Sequence, residues 1–565
     1  MNDYSILDLS GTSPLSAEDA RAITALEPNA REEFNNYIEV LSCANNFQDE
    51  DWFTCISSRN TLLNKLLLNI CRLQLLEQKI SKGDLPDKIF VHNRAMKTVV
   101  KSLLAQSNLN LTVQVKPSQH ILIVLFIHIV QSIRLIFNFI FCSLFYIKDV
   151  DYGSCEILID TFINQNSFDE TGHYSDRYYG KLIEEIEREN TYLLPHYLSA
   201  GSTLNFLKIR KFIYHSKFKF ISKEDFLTFS DYLYILKTAI SIPIKPKQFP
   251  HFGKFDITPL LKRQILEDIM SPQIVDALIN YRFTKQLKTR IPNLKLLVDW
   301  NENQIIDRSL ILGLKKNFPN TLIRGYQAFI VPEFYTCMQP TKYEYEAKLI
   351  PHEIYLIGEA YLKERSKYLS NLLFKIAPAY RFNHLFTELP VKKNRTFRYL
   401  VALPMMVDES LQLLNFILGI FDHIPTNYEF ILKFHPTQKP KDFTSIKSHI
   451  NWARFKQNNL SNRELFASTD VLITSTSSIC VEALLSGLHV AILSNRKGPL
   501  LNPIPSDFLS DKWEVCYEES ELINFILKPS IKPFTVDDSI RQKYMYSGEH
   551  NTLLDLNTIN DSIAN

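Results

Sequence analysis

The chain has 565 residues, of which 45% are hydrophobic and 22% are charged, and this composition indicates an ordered globular protein rather than a disordered one. Its formal net charge is only +2, so no bulk positive field points to a nucleic-acid partner, and its length predicts two large domains with smaller additions. The eight cysteines are scattered, with no CxxC pair and no His and Cys cluster at metal spacing, which is typical of reduced thiols in the cytoplasm.

The N-terminal region, residues 1–85, is predicted to be mainly helical and amphipathic. It starts without a basic stretch followed by an apolar one, so no secretory signal is evident. Two short apolar runs, KIFVHN at 88–93 and LTVQVK at 111–116, have the spacing of a βαβ unit. They are predicted to begin the sheet of an α/β domain over residues 86–340.

An apolar insertion at 118–148 interrupts this domain. Within it, residues 121–147 carry Arg134 as their sole formal charge and are long enough to span a bilayer. An arginine near the centre of an isolated spanning helix is costly, so we expect flat attachment to the membrane surface or a shallow helical hairpin. The alternative is a wholly buried pair of core helices.

Three further strands are predicted for the first sheet, at 155–163, 294–300 and 321–327. The strand LKLLVDW runs into DWNENQ, which places Asp299 and Glu302 at the carboxyl edge, where ligands bind in such sheets. A carboxylate there can take a proton from an acceptor hydroxyl, or it can merely cap the helix that follows. Glu302 is favoured as the catalytic base, since Asp299 can still lie within the strand.

Two other groups of polar residues belong to the same half. The loop GHYSDRY contains His173 and Arg177, which suit contact with an acceptor or an anionic sugar because arginine pairs bidentately with carboxylates. A solvated loop explains the same residues equally well. Arg324 and Gln327 end another strand and are candidates for the same cleft.

A change of domain is predicted near 332–351, where prolines and charges cluster. Beyond it, helical patterns separate several short apolar runs, which predicts a parallel sheet in a second domain over 341–535. These strand candidates lie at 353–357, 397–403, 428–434, 471–473 and 489–493. The tail, 536–565, is expected to be loosely ordered or to pack back on the first domain.

A hydroxyl-rich turn is the main chemical feature of the second domain. Its side chains follow the strand at 471–473 and precede a helix, and they comprise Ser475, Thr476, Ser477 and Ser478. A helix start offers unpaired N–H groups and a partial positive charge, so a phosphate can bind there without lysine. Glu482, one turn later, can accept from ribose hydroxyls. The alternative is that the hydroxyls only cap the helix.

The strand YEFILKF ends in His435 and Pro436 at the predicted carboxyl edge of the same sheet. Proline restricts its own backbone and that of the residue before it, so the imidazole is aimed rather than mobile. A histidine in this position can donate a hydrogen bond to a phosphate oxygen. Two strand ends suited to phosphate therefore lie in one half of the chain.

A strand that ends in His-Pro, followed by a strand that ends in a Ser/Thr pair opening a helix, resembles the nucleotide half of GT-B glycosyltransferases. The motifs are closest to those of bacterial sialyl and Kdo transferases, which use CMP-activated acidic sugars. They are also similar to those of the CDP-glycerol glycerophosphotransferases of teichoic-acid synthesis. In addition, the runs at 160–180 and 300–327 resemble a bacterial surface-carbohydrate biosynthesis family, over roughly residues 33–517. The chain departs from the sialyltransferase acidic motif, because no glycine follows its acidic residues.

The resemblance implies an α/β fold of two Rossmann-like domains, with the helical N-terminal region and the apolar helical insertion added. It implies transfer of a sugar from a nucleotide-sugar donor, CMP-linked by preference, to a glycan or glycolipid acceptor of surface polysaccharide. The enzyme would work at the inner face of the bacterial cytoplasmic membrane, which it contacts through residues 121–147. We expect no metal, no cofactor and no nucleic acid. The alternatives are a CDP-polyol phosphotransferase and an inactive membrane-associated scaffold.

Overall fold

The computed structural model describes residues 6–556, apart from short gaps at 117–119, 146–151, 185, 187–189, 199–201, 246–247, 387–396, 529–533 and 549–551. Its strands form one small sheet and two large ones, and every pairing within the three sheets is parallel. The fold class is therefore α/β with two Rossmann-like sheets, as predicted.

The N-terminal part combines long helices with the small sheet. Its elements are β1 (Ile6–Asp8), α1 (Ala17–Ala44), α2 (Cys55–Ser58), α3 (Leu66–Lys82), β2 (Lys88–Val91), α4 (Arg94–Gln106) and β3 (Thr112–Val115). The prediction that β2 and β3 begin the first large sheet is wrong, because they pair with β1 in the order β1-β2-β3. The three residues of β1 are too short a run to be recognised as a strand from the sequence.

The apolar insertion forms one continuous helix, α5 (Ile121–Phe145). No glycine or proline interrupts these 25 residues, so nothing breaks the helix into a hairpin or a pair. Much of its apolar surface is exposed, which also excludes the wholly buried arrangement. In the described part of the chain, α5 is the one helix long and apolar enough to cross a membrane.

The first large sheet has the order β5-β4-β6-β7-β8-β9. Its strands are β4 (Ile157–Ile163), β5 (Thr191–Tyr197), β6 (Leu296–Trp300), β7 (Leu322–Gln327), β8 (Glu353–Leu356) and β9 (Phe374–Ile376). Its helices are α6 (Lys181–Glu184), α7 (Thr203–His215), α8 (Phe229–Ile244), α9 (Thr258–Asp268), α10 (Pro272–Arg290), α11 (Ile305–Asn317), α12 (Lys342–Glu346) and α13 (Leu362–Arg365). The prediction that the strand at 353–357 belongs to the second sheet is wrong, because β8 pairs with β7. The proline-rich stretch before β8 returns the chain to the same sheet.

The second large sheet has the order β12-β11-β10-β13-β14-β15. Its strands are β10 (Arg398–Ala402), β11 (Glu429–Lys433), β12 (Phe455–Gln457), β13 (Val471–Thr474), β14 (His489–Leu493) and β15 (Trp513–Cys516). Its helices are α14 (Val407–Ile420), α15 (Asn462–Ser468), α16 (Ile479–Leu485) and α17 (Glu519–Leu527), and α18 (Asp538–Tyr544) follows.

After α18 the chain returns to the first sheet. The Tyr546 N–H donates to the carbonyl of Ile357 (2.7 Å), and its carbonyl accepts from the N–H of Ala379 (2.7 Å). Leu553 and Leu554 are buried in the same core as β4 and β6. Of the two expectations for the tail, the described part shows the second, packing on the first domain.

Candidate functional site

Each large sheet has a point where the strand order reverses, and crevices at the carboxyl ends of such points bind ligands in open α/β sheets. In the first sheet the reversal lies between β4 and β6, and in the second it lies between β10 and β13. The loop containing Glu302 follows β6, and the Ser475–Ser478 turn follows β13. The two predicted chemical centres therefore occupy the two positions that this topology favours.

The Glu302 loop is fixed by the start of α11. Asp307, in the first turn, accepts hydrogen bonds from the N–H groups of Glu302 (3.0 Å) and Gln304 (2.9 Å). Asn303 adopts a left-handed backbone with φ of 51°, and its side chain donates to the carbonyl of Cys337 (2.9 Å). The cap is thus made by Asp307, which leaves the Glu302 carboxylate available for other contacts.

The Glu302 carboxylate is half-buried and held by two donors. The indole N–H of Trp300 donates to Oε1 (3.0 Å), and the amide of Gln304 donates to Oε2 (2.5 Å). Burial raises the pKa of Glu302, while these donors and the charge of Arg381 oppose the rise. A positioned carboxylate with a raised pKa has the properties of a general base.

Asp299 lies inside β6 and is fully buried. One of its oxygens accepts from the Asn301 amide (2.9 Å), and burial together with the nearby Asp160 raises its pKa well above the ordinary value. Asp160 in turn lies beside the buried His196 (2.5 Å). Asp299 therefore belongs to a buried polar cluster under the crevice and does not reach its surface.

The turn after β13 presents open donors. Ser478 precedes α16 without capping it through its side chain, and the N–H groups of residues 477–479 have no acceptor in the part of the chain described. Ser475 is only 4% exposed, and its hydroxyl has no hydrogen-bond partner among the described residues. Thr476 is partly exposed, and Thr474 ties the turn to β10 through the carbonyl of Ala402 (2.7 Å). The alternative that the hydroxyls only cap the helix does not account for these unused groups.

His435 follows β11 with its ring half-buried, and the exposed Pro436 comes next. Its Nδ1 accepts from the Thr437 N–H (3.3 Å) and lies 2.8 Å from the Thr437 hydroxyl. Because Nδ1 accepts a backbone hydrogen bond, the proton of the neutral ring belongs on Nε2, which can donate to a ligand. Burial and then the charge of Arg177 lower the pKa of His435, which keeps the ring neutral near pH 7.

Arg177 connects the two halves of the site. It lies in the loop after β4, is exposed, and forms no ion pair among the described residues, yet its charge acts on His435 in the other sheet. The next residue, Tyr178, packs against Trp300 with ring centroids 4.7 Å apart. Trp300 donates to Glu302, so a series of neighbouring residues leads from Glu302 through Trp300 and Tyr178 to Arg177. His173 is exposed in the same loop, where its N–H donates to Asp169 (2.9 Å).

Two other predicted residues have structural partners inside the first domain. Arg324 is fully buried, pairs with Glu353 (2.8 Å) and donates to the carbonyls of Leu553 and Asp555. Gln327 is buried and donates to Asn301 (3.3 Å). Both side chains are held inside the first domain instead of lining the crevice.

Glu482 is buried and lies 3.2 Å from His384. His384 belongs to the segment Tyr380–Phe386, which links the first sheet to the second, and so does Arg381, whose charge reaches Glu302 and Tyr178. The sequence analysis missed both residues. The signal available was the run RFNHLF, which lies between the sheets and has no strand or helix pattern.

Among the described residues, no group of three or more His, Cys, Asp and Glu side chains is arranged to hold a metal ion. The titratable groups of the crevice include Glu302, Arg381, Arg177 and the neutral His435. This arrangement can bind an anion on one side and accept a proton on the other.

No family model matches this chain, and no curated protein matches it. Among solved structures it is similar to the S. aureus MnaA–UDP co-structure, with 10% identity, a TM-score of 0.37 and coverage of 71% of this chain and 94% of that one. It is similar to the Neisseria meningitidis UDP-GlcNAc 2-epimerase bound to UDP-GlcNAc, with 10% identity, a TM-score of 0.38 and coverage of 72% of this chain and 98% of that one. It is also similar to the apo form of the lipopolysaccharide outer core galactosyltransferase WaaB, with 9% identity and a TM-score of 0.38. That similarity covers 72% of this chain and 99% of the other. Scores and identities this low carry no argument about the activity of this chain.

Proposed function

We propose that this chain is a glycosyltransferase that moves a sugar, preferentially a CMP-linked acidic sugar, to a surface polysaccharide or lipid-linked acceptor. The observation that carries the proposal is the meeting of two strand-reversal crevices, one bearing Glu302 and the other His435 with the Ser475–Ser478 turn. Arg177 lies between them, within electrostatic reach of His435.

The donor phosphate binds at the second crevice in this proposal. The Nε2–H of His435 and the open N–H groups of residues 477–479 donate to its oxygens. These donors stabilise the negative charge that develops when the bond from the anomeric carbon to the phosphate oxygen breaks. The nucleotide then leaves as its monophosphate.

Glu302 takes the proton of the acceptor hydroxyl while the oxygen bonds to the anomeric carbon. Its raised pKa suits this role, because it makes the carboxylate more basic than an exposed one. Arg177 forms no ion pair among the described residues, and its guanidinium suits the carboxylate of an acidic sugar.

The donor test uses purified full-length chain with a membrane-lipid extract as acceptor. CMP-sialic acid, CMP-Kdo, CDP-glycerol and UDP-GlcNAc are supplied separately, and nucleotide release is measured by chromatography. We expect release of CMP from the CMP-sugars. Release from CDP-glycerol alone would assign a polyol phosphotransferase, and release from the UDP donor alone would overturn the cytidine preference.

Two substitutions test the residue roles. Glu302→Gln and His435→Ala should each lower kcat by roughly 10² to 10⁴ fold, the range for a lost proton-transfer or charge-stabilising group. The matched controls are Glu359→Gln and His423→Ala, at exposed positions of the same two halves, and these should retain activity. Full cellular polysaccharide with His435→Ala would instead support a scaffold.

The proposal includes attachment to the inner face of the cytoplasmic membrane. Helix α5 packs against α7, α9 and α10 on one side, so it lies along the domain. Three of its polar side chains turn inward: Ser132 donates to the carbonyl of Met270 (2.7 Å), His128 lies 2.8 Å from the carbonyl of Glu267, and Asn138 is buried. The outward face is mostly apolar, with Gln131 the exposed polar residue near its middle, which is the reverse of a helix on a water-facing surface.

Helix α8 adds to the same surface. Four exposed apolar residues follow helical spacing along it, namely Phe229, Leu233, Ile240 and Ile244. Met270 connects the two helices, because its N–H donates to Ala239 of α8 and its carbonyl accepts from Ser132 of α5. An apolar area built from two adjacent helices suits a lipid surface better than one helix does.

A further inference from the structure

A second cavity lies away from the crevices, at the carboxyl end of β2. Its volume is about 500 Å³, and none of the predicted site residues lines it. Its wall comes from the start of α3, the turn before α4, the end of α9 and the first half of α5. The membrane-facing helix and this cavity therefore share side chains, among them Val124 and His128.

The interior of the cavity contains polar groups without partners. Asn69 is 5% exposed, and its Oδ1 has no hydrogen-bond partner in the described part of the chain. The Nδ1 of His92 is buried and likewise unpartnered among those residues. A buried polar atom left without a partner is costly, so these two acceptors indicate a ligand that carries hydroxyl donors.

One cation of the cavity is available to an anion. Glu267 pairs with Arg263 (2.8 Å), and Asp268 accepts from the N–H of Cys55 (3.1 Å). Lys65 has no ion pair within the described ranges. Burial and the charges of Arg72, Lys65 and Arg263 lower the pKa of His92 to about 3, which reports a positive potential there.

The mouth of the cavity is apolar. Leu62 and Leu63 are 64% and 38% exposed beside Lys65, and Leu122 and Ile123 of α5 are exposed next to Val124. Polar interior and apolar rim together match a lipid, whose headgroup is polar and whose chains are not.

We propose that this cavity holds the headgroup of a membrane lipid in which a polyol or sugar is linked through phosphate. Lys65 contacts the phosphate, while Asn69 and His92 accept from the hydroxyls. The chains leave between Leu62-Leu63 and the first turns of α5. This inference rests on the membrane contact proposed above and assigns it a headgroup.

The test compares vesicles of equal charge, made of phosphatidylcholine with either phosphatidylglycerol or phosphatidylserine. We expect the unaltered chain to prefer phosphatidylglycerol by about tenfold, the value of one to two neutral hydrogen bonds made by its glycerol hydroxyls. Asn69→Ala should abolish the preference. Lys65→Gln should weaken binding to both lipids, because both contain the phosphate. The control is Lys208→Gln, at an exposed lysine of the neighbouring α7 outside the cavity. It should change the binding of both lipids equally and keep the preference for phosphatidylglycerol.

The outcomes separate the two proposals. Equal binding to both vesicles by the unaltered chain overturns the headgroup site and leaves membrane contact standing. Absence of binding to all vesicles overturns the membrane contact and the lipid assignment together. Glycerol 3-phosphate binding in calorimetry without vesicle binding, lost in Lys65→Gln, would identify a soluble phosphate ester as the ligand and overturn the lipid source.

Discussion

At the scale of single residues, the site depends on two side chains that the sequence separates by more than 250 positions. Arg177 and His435 belong to different sheets, yet the arginine charge acts on the imidazole. His435 was predictable because a strand ends at it, and so was the hydroxyl turn. Arg324 lies inside β7 instead of at its end, its partner Glu353 lies on the neighbouring strand, and burial there gives it a structural role.

Substituting Arg177→Ala should raise the pKa of His435. Burial, the larger cause, still lowers that pKa, so the value should move toward the ordinary 6.5 without reaching it. The ring therefore becomes protonated at a higher pH than in the unaltered chain. NMR titration of the His435 ring protons measures this, and Arg177→Lys should restore most of the shift.

An unchanged His435 titration in Arg177→Ala would show that the two sheets are further apart in solution. His423, exposed in the second half, serves as the internal reference for the measurement.

At the scale of elements, α5 excludes one of the two membrane arrangements predicted for the apolar insertion. A hairpin is wrong, because the segment is one continuous helix, whereas flat attachment to a membrane surface stays a prediction. Ser132 and Asn138 are buried, whereas Leu122, Phe126 and Phe137 are exposed. Only contact with α9 and α10 decides which face turns inward.

The double substitution Phe126→Glu with Ile133→Glu should abolish flotation with liposomes. Both side chains are exposed, so the fold should be retained, and charges on the outward face oppose insertion into the headgroup region. Thermal unfolding verifies the fold. Undiminished flotation of the variant would contradict a membrane role for α5.

A contrasting substitution, Phe139→Ala, removes a side chain that is 2% exposed. It should cost about 3–5 kcal/mol of stability, as other large core truncations do, while leaving the outward face intact.

At the scale of the whole molecule, the C-terminal segment closes the architecture by returning from the second sheet to the first. Arg324 anchors it through the carbonyls of Leu553 and Asp555, and Tyr546 pairs with the chain on either side of β9. The chain thus crosses between the two halves twice, once through Tyr380–Phe386 and once before α18. Both crossings constrain how far the crevices can open.

Arg324→Ala should release this segment and destabilise the first domain. The change removes one of the positive charges that pair with the buried Glu353 carboxylate. Loss of one partner of a buried ion pair lowers the free energy of unfolding by about 3–5 kcal/mol. Hydrogen exchange should increase in residues 534–556. The matched change Arg398→Ala removes a partly exposed ion pair between neighbouring strands, with Glu429 at 2.6 Å. Its loss should lower the free energy of unfolding by about 0–1 kcal/mol. Equal exchange in both variants would refute the anchoring role.

The sequence by itself determined the α/β class, most strand positions, the single apolar segment and the strand ends that carry Glu302, His435 and the hydroxyl turn. These follow from local patterns, because strand runs, helix starts and turn chemistry are read within a few residues. Tertiary structure decided the rest: that β2 and β3 form their own sheet, that β8 belongs to the first, that Arg324 is buried, and that Arg177, Arg381 and His384 join the site. Each of these depends on which distant strands pair and which faces turn inward, and no local pattern records that choice.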